Sequence, residues 1–423
     1  MKFRRNFLII PLAIAFLAVA GIPGAWGIVT VQCPVNSGGA VLGDDNLDGA
    51  IRADQGEILN PKSPNQVCKH LGAGDGFVTM ADGRPIYIFS FSDLTGEMPE
   101  DAMMEGALAA NFPAPTIELK EGDEFYLTLT NVGMIIRPDL FDPHTVHYHG
   151  FPQASSAFDG VPDASVSINM GASITYYYKN MEPGTYMYHC HVEATEHMQM
   201  GMLGNLYVKP AQDDIPAMLA LGNSRPAPVN KPFLGFAYND LDGSTGFDRE
   251  FPIQIGSFDP DFHDASWNVQ PLPFANMKDR YAMLNGRGYP DTIVAGNLPA
   301  PAENGGKFSQ RVSSLVTADA GERILLRISN LNVTNFYTLT ALGLPMHVVG
   351  HGARLLRGPA QGANQNIYFD TTTVTLGGGE SVDVLIDTTD VPAGTYFLYA
   401  TNLNFLSNDA EDFGGMMTEI VIN

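Results

Sequence analysis

Six of the ten histidines in this 423-residue chain lie between His144 and His197, and the same window holds Cys190, the one cysteine outside the N-terminal region. They form two motifs, His144-Thr-Val-His147-Tyr-His149 and Tyr188-His189-Cys190-His191, followed by His197 and Met202. Two histidines, a cysteine thiolate and a weak axial methionine are the ligand set of a blue-copper electron-transfer centre. His144, Cys190, His197 and Met202 supply that set. Ordinary core burial explains a single histidine or thiol, not the whole group, and the thioether argues for copper over zinc.

The spacing also dictates a scaffold. In a strand, residues i and i+2 share a face and i+1 takes the other. His147 and His149 can therefore share one face, as can His189 and His191. Cys190 then points the opposite way, toward His144, His197 and Met202. One strand thus carries a redox site on one side and a second metal site on the other.

Short β-branched and aromatic runs recur between turn signals, among them Ile86–Ser90, Thr116–Leu119, Phe125–Thr130, Ile174–Tyr178 and Thr185–His189. With 16% charged residues, 44 glycines and 29 prolines, this is a turn-rich, all-β pattern of sandwich type. The plan it predicts is a polar leader over 28–75, a first domain over 76–210, a linker over 211–230 and a second domain over 231–423. The domains echo each other: Lys120–Asn131 resembles Ala320–Asn330, Glu182–Tyr188 resembles Val391–Tyr399, and Met202 finds Met416-Met417. Such echoes indicate internal duplication. The second copy carries Ala400-Thr-Asn where the first has His189-Cys-His, so it has no blue-copper site of its own.

Lys2, Arg4 and Arg5 precede the apolar run 7–20, and Ala25-Trp-Gly27 is a small-residue cleavage site, so 1–27 is expected to be a signal peptide. That places the mature protein in the periplasm or outside the cell, where Cys33 and Cys68 can pair. Asp44-x-Asn46-x-Asp48-Gly49 has the spacing of a calcium loop but ends on Gln55, which favours an acidic solvated segment. A net charge of −23 disfavours nucleic acid and anionic membranes as partners.

Taken together, His-x-x-His-x-His-Gly, His-Cys-His, the downstream histidine with methionine, and Phe158-Asp-Gly-Val-Pro resemble the cupredoxin-domain multicopper oxidases over 77–208, with a weaker echo over 230–423. The resemblance implies two Greek-key cupredoxin sandwiches. It implies type 1 copper on His144, Cys190, His197 and Met202, with His147, His149, His189 and His191 serving type 2 and type 3 coppers. Electrons would pass from a small-molecule, metal-ion or protein donor to dioxygen. Seven positions separate Cys190 from His197, more than in the oxidase pattern and fewer than in copper nitrite reductases. A trinuclear cluster in this family needs four further imidazoles. Of the histidines left, His70 lies in the leader and His263 in a Pro/Asp loop expected at the surface. His347 and His351, in the second copy where the first has its His-x-x-His motif, resemble the nitrite-reductase segment that completes a type 2 site on a neighbouring subunit. That implies a homotrimer with a site between chains. Two other readings remain, nitrite reduction at type 2 copper and a non-catalytic copper or electron carrier.

Overall fold

The computed structural model describes residues 29–152, 154–179, 181–358 and 365–423; the expected signal peptide lies outside them. Among the described residues no helix is long and apolar enough to cross a membrane.

Two sandwiches share one topology. In the first, Gln66–Thr79 runs parallel to Glu124–Gly133, which pairs with Ser173–Lys179, while Pro85–Asp93 pairs with the free edge of Gln66–Thr79. The facing sheet has the order Ala114–Lys120, Leu203–Lys209, Gly184–His189, His147–His149, its first pair parallel. The second unit repeats both features. Arg249–Phe258 is parallel to Arg323–Asn330, and Val316–Ala318 is parallel to Met417–Ile422, which lies beside Gly394–Ala400 and then Tyr337–Ala341. Inward-facing residues fill each sandwich, including Leu71, Phe89, Leu127, Tyr188 and Leu206 in one and Ile324, Leu339, Val384 and Ile420 in the other. Burial of this apolar surface is the main stabilising term.

The stretch read as a polar leader is folded. Gln66–Thr79 is a central strand with every residue from Gln66 to Val78 buried. Its polar residues hid the strand signal because each is paired inside the fold: Lys69 with Asp93 at 2.7 Å, His70 with the Thr130 hydroxyl at 2.7 Å, Asp75 with the Tyr87 hydroxyl at 2.8 Å. Cys33 and Cys68 form a disulfide. In the calcium-like loop, the Asp44 carboxylate accepts from the Asp48 and Gly49 amides, and Arg52 lies 3.6 Å from Asp48. The chain's own donors occupy those oxygens. The stretch read as a linker is a run of short helical turns, Ala211–Asp214, Pro216–Leu219 and Ala220–Ser224.

The outer face of Gly184–His189 packs on Arg323–Asn330 and Glu380–Asp387 of the second unit. Arg327 is fully buried there, held by Glu250 and by Asp383 at 3.5 Å. Asp383 also accepts from the Thr185 and Tyr238 hydroxyls. Removing one partner of a buried pair strands the other charge without solvent. Asp383→Ala should therefore lower the unfolding free energy by roughly 3 kcal/mol, the low end for a broken buried pair because Glu250 remains. Urea unfolding at neutral pH measures this, and a loss below about 1 kcal/mol would remove the pair from any role in joining the units.

Candidate metal centre

Cys190 directly follows the strand Gly184–His189 and continues its alternation, with Tyr188 and Cys190 inside the core. His144 Nδ1 lies 3.6 Å from Cys190 Sγ and His197 Nδ1 lies 3.2 Å from it, all three side chains fully buried. His144 is fixed by a two-way backbone bridge to Ile168. His197 sits in the one-and-a-half-turn helix Ala194–Gln199, on the loop that returns to Met202. The Met202 amide donates to His197 O at 2.8 Å, the Cys190 amide donates to Met202 O at 3.2 Å, and the Met202 side chain is fully buried in the same core. Burial pushes the Cys190 thiol up, but the His197 charge and hydrogen bonds from His144 and His197 outweigh it, leaving the thiol well below its usual range. His197 is correspondingly raised, the thiolate and Asp142 overcoming the cost of burial. A thiolate facing two ring nitrogens is what a soft cation requires, since metal ligands must be deprotonated.

On the opposite face, His147, His149 and His189 bring their ligand atoms within 4.8 Å of one another. Two of the rings are oriented through their other nitrogen. His147 Nδ1 donates to Asp159 O and His189 Nδ1 to Cys190 O, both at 2.6 Å, while the His149 ring faces the Gly379 backbone of the second unit. Nδ1–H donors leave Nε2 lone pairs free for a metal. His149 Nε2 and His189 Nε2 stand 2.9 Å apart. At that distance one ring donates a proton to the other or both nitrogens face a shared cation, and with His147 the three converging ligand atoms fit a metal. Burial pushes His189 down to about 3, and burial with nearby His147 lowers His149, so both rings are neutral at physiological pH. His191 stands beside the group, its ring 4.9 Å from His147 and 5.5 Å from His189.

The remaining histidines sort differently. His347 lies on the outer sheet of the second unit, half-buried, with Nδ1 2.7 Å from Asp370, and His351 is exposed. Neither joins a metal-ligand group among the described residues. The second unit instead meets the histidine face with backbone and side chains that carry no imidazole, in a cleft of about 370 Å³ lined by His149, Thr195, Met198, Asn332, Phe336 and Gly379. His263, expected at the surface, is fully buried in the helix Pro260–Trp267; flanking Pro and Asp residues set its helix start rather than a loop.

The second unit keeps the frame of the Cys190 site without its chemistry. Asn131 donates to Ile168 O and Asn330 to Leu376 O, and Ile168 and Leu376 pair with His144 and Tyr337. The Ala400 amide donates to Met416 O, and the Met416 amide to Phe405 O, as those of Cys190 and Met202 do to Met202 and His197. Tyr337 and Phe405 therefore replace His144 and His197. Their rings are 4.6 Å apart at 53°, against 5.0 Å and 51° for the histidines. Two expectations shift. Tyr399-Ala400-Thr401, not Ala400-Thr-Asn, occupies the place of His189-Cys190-His191, because the extra residue in Val391-Pro-Ala-Gly falls before the strand. The counterpart of the first motif is Tyr337–Thr340, not the segment bearing His347.

Sequence reasoning missed Asp142, whose carboxylate lies 3.9 Å from His197 Nε2, with Glu193 in the same group. Asp142 precedes the first motif by two residues, which was the signal available.

Two family profiles described as multicopper oxidase match residues 100–213 and 268–422. Laccase-5 of Arabidopsis thaliana is 24% identical over 314 residues, covering 74% of this chain and 43% of the relative. Multicopper oxidase MmcO of Mycobacterium tuberculosis is 36% identical over 243 residues, covering 56% of this chain and 40% of the relative. The chain thus spans less than half the length of either. Similar folds include the blue copper oxidase of Nitrosomonas europaea, with a TM-score of 0.58 at 20% identity over 84% of this chain and 85% of that one. The copper nitrite reductase of the same organism gives 0.54 at 15% identity, over 85% and 94%. Both sandwiches are cupredoxin-like.

Gly160 tests the orientation of His147. Its φ is +75°, and a Cβ there would come 2.1 Å from Val146 O, next to the Asp159 carbonyl that fixes the ring. Gly160→Ala should weaken copper binding on the histidine face by about 10-fold, the lower end for lost outer-shell partners. Chelator competition reads this, with absorption from the Cys190 site unchanged as the internal control.

Proposed function

From the chain's membership of the multicopper oxidase family we infer that it is a laccase-like copper oxidoreductase working on dioxygen. His144, Cys190, His197 and Met202 would hold type 1 copper, and His147, His149, His189 and His191 the coppers of the opposite face. When bound, copper supplies one-electron redox chemistry between a reducing substrate and dioxygen. The observation that carries the reading is the inward thiolate of Cys190 flanked by the outward imidazole of His189, one strand serving two metal-binding faces. Each residue has a definite task. Backbone carbonyls of Asp159 and Cys190 hold His147 and His189 as Nδ1–H tautomers. His144 and His197 lower the Cys190 thiol and so ease its ionisation.

The donor would approach at the Asp142 and Glu193 carboxylates above His197, which favours cationic donors such as metal ions over anionic ones. The Cys33–Cys68 disulfide supports a periplasmic or secreted location. Because the second unit places no imidazole on the histidine face of its own chain, the site would be completed by a second copy. A homotrimer with His347, and His351 beside it, reaching a neighbour's first domain is the arrangement proposed. That scarcity of imidazoles also sustains nitrite reduction at a single type 2 copper as a second reading.

Total copper per chain, set against copper visible by electron paramagnetic resonance, tests the assignment. Silent copper supports a coupled pair and dioxygen as acceptor; two visible kinds with none silent support the nitrite-reductase arrangement. Cys190→Ser should abolish the blue absorption band, and a band that survives would sink the type 1 assignment. His347→Ala should lower copper content without bleaching the protein; unchanged content would remove His347 from the site.

A further inference from the structure

The helix Ala194–Gln199, which carries His197, is held by the other unit. Gln199 ends it, two residues after the ligand, and is 1% exposed. His263, from the helix Pro260–Trp267 of the second unit, places its two ring nitrogens against two carbonyls of the first unit. Nδ1 lies 2.6 Å from Tyr87 O and Nε2 lies 3.0 Å from Gln199 O. The Gln199 side-chain amide donates to Asp279 Oδ1 at 3.3 Å, and Asp279 is itself fixed by the Ser257 and Thr334 hydroxyls. Backbone and side chain of one residue thus both meet polar partners from across the domain boundary.

Both arms of His263 lead to His197. One acts through Gln199 along the helix. The other acts through Pro85–Asp93, where Tyr87 and Phe89 share a face; the Phe89 ring stands edge-on to Tyr87 at 5.5 Å and edge-on to His197 at 6.0 Å. The next two carbonyls along the loop are caught within the first unit, Met200 O by the Phe89 amide and Gly201 O by the Ser90 hydroxyl. Gln199 is therefore the point where the loop joining His197 to Met202 depends on the second unit. Burial pushes His263 down to about 4, whereas two carbonyl acceptors ask for hydrogen on both nitrogens. A neutral ring carries one N–H, which serves the Tyr87 carbonyl or the Gln199 carbonyl according to tautomer.

We propose that His263 and Asp279 are positioning residues through which the second domain sets the placement of His197 in the Cys190 site. This rests on the reading of that site as type 1 copper. It gives the second unit, which has no thiolate at the position of Cys190, a role in the first unit's chemistry.

The test uses the full-length protein and two variants, His263→Leu and Asp279→Ala, with His263→Gln as the conservative replacement able to donate to a carbonyl. In metal-free protein, hydrogen exchange of the amides in Ala194–Gln199 should accelerate about 10-fold in either variant, while amides of the strand Gly184–His189 keep their protection. In copper-loaded protein, the blue band should shift and copper affinity of that site should fall about 10-fold. His263→Gln should restore part of each. A lower melting temperature with unchanged helix exchange, band and affinity would mean mere structural packing and overturn the proposal. If His263→Leu fails to fold, Asp279→Ala decides by the same readings. A wild-type protein with no thiolate-to-copper band would refute the type 1 reading instead, and the exchange result would still judge the clamp.

Discussion

Everything in the first domain depends on keeping a thiolate inside a hydrophobic core. Cys190 is fully buried among Phe91, Tyr188, Met200 and Leu206, where an isolated charge would be prohibitively costly. His197 and His144 make it tenable by facing the sulfur at 3.2 and 3.6 Å. The pair must then be supported in turn, His144 by its bridge to Ile168, His197 by the loop to Met202 and by Asp142. Strand alternation turns the neighbouring His189 outward, so the second metal-binding face follows from the first without further design.

The second domain shows what the frame looks like without that constraint. Ala400 stands at the thiolate position and a tilted Tyr337–Phe405 pair at the two imidazoles, while Met416 stays. The backbone bridges that place the ligands survive in the absence of ligands. They are features of the sandwich itself, shared by both units. The matched tyrosine contacts, Tyr186 to Glu182 O at 3.0 Å and Tyr396 to Pro392 O at 2.9 Å, fix the register independently of the site.

That register explains what could be read from sequence. Histidine spacing and strand alternation pointed to the imidazoles and thiol that the structure brings together on the two faces, because period two is preserved at His147, His149 and at His189, Cys190, His191; the carboxylates Asp142 and Glu193 carried no such signal. The all-β class and the duplication were legible for the same reason. Gln66–Thr79 was not, since a strand buried on both faces shows no alternation and its Lys69, His70 and Asp75 find partners only in three dimensions. His263 looked exposed because a local Pro/Asp setting says nothing about a carbonyl 176 residues away. One inserted residue before Gly394 moved the apparent match by one place, enough to turn an inward position outward.

A buried ion pair is seldom a net source of stability compared with well-packed apolar groups. The first domain places Cys190 and His197 side by side in its core; at the same positions the second carries a methyl group and an aromatic pair. At this position the two domains differ, one presenting ligand atoms and the other apolar side chains. The contacts across their boundary matter for that reason. Thr185 and Asn205 of the first domain are tied to Asp383 and Ser329 of the second, and Gly379 presents its backbone to His149. At Gly379, with φ at +92°, a side chain would come 2.7 Å from the His149 ring. The second domain carries no thiolate or imidazole at the equivalent positions and forms the wall against which the first domain's histidine face is set.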